Sequence, residues 1–388
     1  MPARTAGVVA LVAVLGWAGF IWLAVQLYVK NPPTAAFDLE LLLGAGRAVT
    51  AGHSPYDPAI LAGTSPVAEG LFYSYPPLVA QLMAVFAAVP SPVMFVAWTA
   101  AAVGGLGLVA RALAIRFAPA VSPGAVAAVT IALIPMMFPL AIGLLFGNLD
   151  VFFPTLYGLM LIAVAKPTIA DDGLRGGAAS AVAGLTKLHP GSMVLWFVVR
   201  AIRSADAGRV ALAAIVTGAV LLAISLIVGG PQPWLDYAAV VRAGSGADLV
   251  DPRNAGPAAQ IALLVGGGGQ AAEVLARTLQ IPVALAAVVG TGVVARRVLD
   301  PVESLAWASA ASLVILPVTW YHYPSALIPF ALAAVLRSRD TVDAARVRGL
   351  VAGAAVTAAI AIAWLPLLYF AIGFVLAATR ISRPGGED

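Results

Sequence analysis

The chain has 388 residues, 61% of them hydrophobic and 10% charged, with a formal net charge of +4 and a mean hydropathy of +0.97. A soluble domain carries about 25% charged residues, so this composition excludes a soluble protein and points to one membrane domain covering residues 1–388. There is no cysteine, which excludes disulfides, thiolate metal sites and a cysteine nucleophile.

The apolar runs are continuous, rich in Ala, Leu, Val and Gly, and often near twenty residues long, as bilayer-spanning helices require. Alternating strands are not encoded. The expected fold is therefore all-α and polytopic, with about twelve to fourteen membrane segments. The basic residues sit in short loops between apolar runs. That pattern encodes orientation in a lipid bilayer and not a nucleic-acid surface.

The first apolar run, 7–29, follows Arg4 and ends at Lys30, Asn31, Pro32 and Pro33. It is too long for a typical signal-peptide core and is expected to stay as a membrane helix. Residues 30–75 form the first large polar excursion. Within it Leu39, Leu42, Leu43, Gly46 and Val49 recur at helical spacing, with Asp38, Arg47 and Thr50 off the stripe. The spacing predicts an amphipathic helix lying on the membrane surface. His53-Ser54-Pro55-Tyr56-Asp57-Pro58 then reads as a turn.

Tyr75-Pro76-Pro77 opens the next predicted span, which ends at Pro90-Ser91-Pro92, and 92–113 forms another. Residues 121–165 contain Pro135, Pro139, Gly143, Gly147 and Pro154, which predicts two short helices followed by a longer one. Broken helices at membrane depth occur where they line protein or a watery cavity. A polar loop runs from Lys166 to Arg175. The apolar run 176–200 is interrupted by Lys187, His189 and Pro190, predicting two short helices with a polar joint. After a span at 210–229, residues 230–256 make a second large polar excursion with Trp234, Asp236, Arg242, Asp248, Asp251 and Arg253. The run Gly266–Gly269 reads as a flexible loop or helix break and not a phosphate cradle. Further spans are predicted at 272–295, 302–318, 323–336 and 348–379, the last broken at Pro366.

Arginines at 175, 200, 203, 209, 296, 297, 337, 339, 346, 348, 380 and 383 fall in short loops assignable to one side. The positive-inside rule makes that side cytoplasmic, places the N-terminus there and turns both large loops outward. Arg111 and Arg116 stand outside this pattern. On this topology four polar groupings converge on the outer half: Asp38 with its loop, Gly147-Asn148-Leu149-Asp150, Lys187-Leu188-His189-Pro190 and Trp320-Tyr321-His322-Tyr323. Polar side chains within membrane segments are expensive and usually functional. The separated histidines and scattered carboxylates lack the spacing of a metal site, and no cofactor or metal is expected.

Several motifs recur here in a familiar order: a first-loop Asp before an amphipathic helix, a Ser-Pro-Tyr turn at 54–56, Tyr75-Pro76-Pro77-Leu78, the Gly147–Asp150 break, the Lys187–Pro190 joint and Thr319-Trp320-Tyr321-His322. In these the chain resembles the actinobacterial polyprenol-phosphate-mannose-dependent alpha-(1,2)-mannosyltransferases of the C-type glycosyltransferase superfamily. The resemblance implies a cell-membrane enzyme with its active site on the outer side. It would move mannose, with inversion, from a polyprenyl-phosphate donor to a hydroxyl of a glycolipid or lipoglycan related to phosphatidylinositol mannoside. It also implies Asp38 as the catalytic base, with Lys187, His322 and His189 at the donor phosphate or sugar. Tyr56, Tyr75, Pro76 and Pro77 would shape the loop. The chain departs from the family in Ser54 within the expected Gly-Pro turn, in Asn148 and Asp150 at the break, and in Tyr323 where a second histidine is common.

Each of these residues also has a plainer reading. Asp38 also suits a helix N-cap, and Glu40 is the next candidate base. Lys187 either meets a phosphate in a low-dielectric pocket or snorkels to the interface. His322, Trp320 and Tyr321 form either a substrate wall or an interfacial aromatic belt. Asp150 either orients a sugar hydroxyl or pairs with a buried cation. Asn148 and Arg47 remain candidates for substrate contact, whereas Asp57 reads as a turn residue. Two rival functions stay open: an arabinofuranosyltransferase on the same scaffold, and a transporter or flippase. The latter would favour paired inverted repeats, which the sequence lacks.

Overall fold

The computed structural model describes residues 3–31, 34–64, 72–165, 171–244 and 248–383. Pro32, Pro33 and the start of the polar loop at Lys166 lie outside the described residues. No strand occurs among the described residues. The chain is an all-α, polytopic membrane protein. Among the described residues four helices are long and apolar enough to cross a bilayer, namely Gly7–Lys30, Ser91–Phe117, Ala205–Gly229 and Gly269–Arg297, with a bent pair, Pro123–Met136 and Phe138–Phe146, as a fifth candidate. Four shorter apolar helices, Leu149–Ala165, Pro257–Gly266, Tyr323–Ser338 and Leu367–Ile381, accompany them, so the described residues hold fewer membrane segments than the twelve to fourteen read from the sequence.

In chain order, α1 (Ala3–Lys30) is a largely lipid-exposed helix, only 6% buried over its apolar window. Next comes α2 (Phe37–Thr50), which buries Leu39, Leu42, Leu43 and Gly46 as the spacing predicts. Asp38 departs from that expectation. It precedes Leu42 by four residues, so it shares the buried stripe and is only 9% exposed. It is also not the N-cap, a place taken by Ala36 in the left-handed conformation with no side-chain cap bond. The short α3 (Pro58–Leu61) is capped by Asp57, whose carboxylate accepts the Ala59 N–H at 2.8 Å.

The span predicted from Tyr75 to Pro90 is instead an eight-residue helix, α4 (Pro77–Ala84), followed by turns. At 1.5 Å per residue it is about 12 Å long and cannot cross a membrane. It serves as a platform for α2. An added Cβ at Gly46 would lie 2.5 Å from the Met83 carbonyl carbon and 2.8 Å from the Ala84 nitrogen. Backbone cannot swing aside as a side chain does. Gly46→Ala is therefore expected to destabilise by about 1–3 kcal/mol, despite alanine's better helix propensity, and to shift Asp38. Thermal unfolding in detergent, run beside a transfer assay, checks both effects.

The helices α5 (Ser91–Phe117), α6 (Pro123–Leu133) and α7 (Phe138–Phe146) follow, with a 74° bend at the Ile134-Pro135-Met136 turn. A tight turn at 149–152 leads to α8 (Phe153–Ala165). The predicted joint at Lys187–Pro190 separates α9 (Asp171–Thr186) from α10 (Ser192–Arg200). After α11 (Ala205–Gly229), the second excursion contains a helix not read from the sequence, α12 (Gln232–Gly244), and a second, α13 (Pro257–Gly266), begins at its close. The glycine run breaks α13 from α14 (Gly269–Arg297), with positive φ at Gly267, Gly268 and Gly269. The chain ends with α15 (Pro301–Ser312), α16 (Ile328–Ser338), α17 (Ala344–Ile360) and α18 (Leu367–Ile381).

The helices give the body two unlike ends. At one end meet the N-terminal part of α5, the C-termini of α7 and α9, and the turn before α16. The other end carries ion pairs. Arg116 at the end of α5 meets Asp172 at the start of α9 at 2.9 Å. Arg337 at the end of α16 meets Asp300 at 2.6 Å, and Arg383 pairs with Glu303. Arg200, at the end of α10, donates to the carbonyls of Ala295 and Val298 around the C-terminus of α14. Arg116 thus belongs with the other end-of-helix arginines, about 27 Å along α5 from Trp98 at the opposite end.

Candidate active site

The site is assembled from three chain breaks and one helix face. At the first break, Gly147 ends α7 in the left-handed conformation, φ 66°. Its N–H bonds the Leu144 carbonyl at 3.0 Å, and the Asn148 N–H bonds that of Gly143 at 2.9 Å. This is the doubled bond of a glycine C-cap. A side chain at 147 would also collide with the Leu39 Cβ, so glycine lets α7 end against α2. The Asn148 carboxamide oxygen accepts the Asp150 N–H at 2.8 Å. That fixes the orientation of the amide and leaves its NH2 to donate to the Asp38 carboxylate at 2.7 Å.

The second break follows α9. Lys187 stands at the helix C-terminus, where the macrodipole favours a cation, and its ammonium donates to both Asp150 oxygens at 2.8 Å. Its side chain is 12% exposed and that of Asp150 1%. The ammonium also lies 4.0 Å above the Tyr323 ring and 5.8 Å from that of Tyr75. At the third break the His322 Nε2 lies 3.2 Å from the second Asp150 oxygen, in ion-pair range but out of line for a hydrogen bond. His322 is seated by Gly143, where an added Cβ would come within 3.5 Å of the His322 Cβ.

A cleft of about 1400 Å³ opens over these groups. Asp38, Asn148, Lys187 and His322 line it, as do Tyr75, Trp320 and Tyr321. Burial pushes the Asp38 carboxyl above the usual carboxylate range, while His322, Asn148 and Lys187 pull it down. The structure therefore brings Asp38, Asn148, Asp150, Lys187 and His322 into one connected cluster.

Other candidates stand back from the cleft. Asp150 lies behind Lys187 and His322, bonded to the first and 3.2 Å from the second. His189 is 1% exposed and stacks on Tyr323 at 5.3 Å with an 11° tilt, and neither ring nitrogen finds a partner among the described residues. It supports the Tyr323 ring and does not face the cleft. Tyr56 is buried and donates to the Tyr75 carbonyl at 2.9 Å. Glu40 and Arg47 pair with each other at 3.6 Å, half-exposed, and neither lines the cleft. Tyr321 reaches its cleft position while its hydroxyl donates to the Ala358 carbonyl.

Two features were missed in the sequence. Tyr237 of α12 lines the cleft, and the fully buried Asn254 ties the second loop to the His322 segment. The Asn254 amide donates to the Pro317 carbonyl at 3.0 Å and accepts the Thr319 N–H at 3.0 Å. An asparagine in a polar loop gave no hint of this knot. Asp248 and Arg253, from the second polar excursion, reach the cleft rim, with Arg253 paired to Asp251 at 2.6 Å and largely exposed. Among the described residues no three His, Asp or Glu side chains gather as a metal site requires.

A carboxylate and a buried ammonium thus share one floor under a large cleft in a helical membrane body, a layout suited to group transfer at a membrane. Residues 73–320, well over half of the chain, match the family model of glycosyltransferase family 87, and the chain belongs to that family. The match takes in Asn148, Asp150, Lys187, His189 and Trp320, whereas Asp38 precedes it and His322 follows it. Comparison with curated proteins gives no match.

Proposed function

We propose that this glycosyltransferase moves mannose from a polyprenyl-phosphate donor to a hydroxyl of a glycolipid or lipoglycan, with inversion at the anomeric carbon. The observation that carries the reading is the Asp38–Asn148–Asp150–Lys187 chain of contacts, which joins a base to a cation across one cleft floor. Asp38 takes the proton of the acceptor hydroxyl as its oxygen attacks C1. The C1–O bond to phosphate breaks, and the leaving oxygen keeps the electron pair. Lys187, bonded to both Asp150 oxygens and in contact with Tyr323, joins His322 in stabilising the phosphate in a poorly solvated site. No metal takes part in this scheme.

The cleft faces the outer side of the cell membrane in this reading. The arginine-rich helix ends lie at the opposite end of the body, which the positive-inside rule assigns to the cytoplasm, together with the N-terminus.

The test uses protein in lipid nanodiscs with labelled polyprenyl-phosphate mannose and a mannosylated inositol lipid. Label is expected in the acceptor lipid, in the anomeric configuration opposite to that of the donor, and unchanged by a chelator. Transfer from polyprenyl-phosphate arabinose alone would replace the sugar. Lipid movement without covalent transfer would replace the enzyme with a transporter. The pH profile gives a second check. The base acts as carboxylate and its proton affinity is raised by burial. The acid limb of kcat/KM should therefore lie above the ordinary carboxylate value of about 3.9, with activity lost as pH falls through it. A limb at or below that value would remove Asp38 as the titrating base.

A further inference from the structure

The two sides of the cleft differ in chemistry. Around α7 and the turn between α17 and α18, which pack together, the lining is apolar: Ile142, Phe146, Ile362 and Trp364. Ile362 and Trp364 are also 61% and 53% exposed, so this side runs out toward lipid. A polyprenyl chain suits it.

The other side lies between the two outer loops. Phe72, Ser74 and Tyr75 come from the first loop, and Tyr237, Val241 and Gly244 from α12. The loops are locked together here, since the Ser54 hydroxyl donates to the Asp236 carboxylate at 2.9 Å. Tyr237 is held in a stack of tyrosines, 6.2 Å and 28° from Tyr56, with Trp234 edge-on at 6.2 Å. The hydroxyls of Tyr56 and Tyr73 are spent on the carbonyls of Tyr75 and Pro76, both at 2.9 Å. That of Tyr237 donates to no group among the described residues. A largely buried tyrosine hydroxyl ordinarily has a partner. Here it is left to the cleft, whose lining also includes the half-buried Phe72 and the exposed Ser74.

We propose that this second side binds the terminal pyranose of the acceptor, with the Tyr237 hydroxyl bonding a sugar hydroxyl and the Phe72 ring covering an apolar sugar face. The proposal rests on the transfer reading above and adds to it which wall holds which substrate. The sugar would enter the cleft next to Asp38, on the same loop system, and opposite the lipid-facing wall.

Two substitutions probe the wall without dismantling it. Tyr237→Phe keeps the stack on Tyr56 and removes only the hydroxyl. Gly244→Ala adds a Cβ 3.1 Å from the tip of the Phe72 ring, which narrows the sugar space at a position where alanine suits the helix. Each is expected to raise the acceptor KM about three- to tenfold, the worth of one neutral hydrogen bond or a displaced ring contact, with donor KM unchanged. Trp364→Ala, on the opposite wall, should raise donor KM and leave acceptor KM alone. An unchanged acceptor KM in both first variants, or a raised donor KM in either, overturns the assignment. Equilibrium binding of an octyl mannoside, measured without donor, should weaken by the same factor in Tyr237→Phe. Because this readout needs no turnover, sugar binding that depends on Tyr237 in a protein that transfers nothing would sink the transfer reading and keep the wall. Binding that ignores Tyr237 would sink the wall whatever the transfer assay gives.

Discussion

Asp38→Asn should lower transfer by about three orders of magnitude, within the range that a positioned base contributes, and should leave the fold intact. The substitution is nearly isosteric. An asparagine at 38 can present its carbonyl oxygen to the Asn148 NH2, so the 2.7 Å contact survives. What disappears is the ability to accept the acceptor proton. Stability should hold or rise slightly, because burial disfavours the charge that the native residue carries when it works. An active site of this kind sacrifices stability for function. Glu40→Gln is the matched control. Glu40 pairs with Arg47 on a half-exposed face and does not reach the cleft, so its removal should change the rate by less than about twofold, as expected of an exposed pair. Equal losses in the two variants would point to a disturbed α2 and not to a missing base. Full activity in Asp38→Asn would dismiss the residue from the chemistry.

The chain breaks were legible in the sequence because proline and glycine interrupt apolar runs there, at Pro135, Pro139, Gly147 and Pro190. The polar side chains at these breaks stood out because lipid makes them costly. Their mutual arrangement was not legible. The Asp38–Asn148 bond joins residues 110 apart, and nothing in local spacing encodes it. Helical periodicity placed Asp38 off the apolar stripe, whereas the buried face extends one position further once α4 and α7 close over it. Local pattern also failed for α4, since residues 78–89, apolar but for Gln81, read like a span until tertiary packing shows where the helix stops. The second loop hid α12 because Trp234, Asp236 and Arg242 made it read as a polar excursion. Tyr237 went unread for that reason.

The other large effect concerns the buried pair. Lys187→Met leaves the Asp150 carboxylate, 1% exposed, with His322 at 3.2 Å as its one remaining ion-pair partner among the described residues. Breaking one partner from a buried pair costs about 3–5 kcal/mol, mostly as an uncompensated charge. Asp150→Asn does the same in reverse, stranding the Lys187 ammonium between the Tyr75 and Tyr323 rings. The double variant Asp150→Asn with Lys187→Met removes both charges, and buried pairs exchanged for neutral groups are often as stable as before. The unfolding midpoint should therefore drop in each single variant and recover in the double one, a coupling that a double-mutant cycle isolates. Transfer should not recover. With no ammonium facing the leaving phosphate, the rate should stay at least about 100-fold down, as when one donor to a developing anion is removed. The two readouts separate the roles of the pair. Stability without activity in the double variant assigns Asp150 to holding the cation and Lys187 to the phosphate. If stability and transfer return together, Lys187 is a structural ion alone, and the charge that meets the departing phosphate must come from His322.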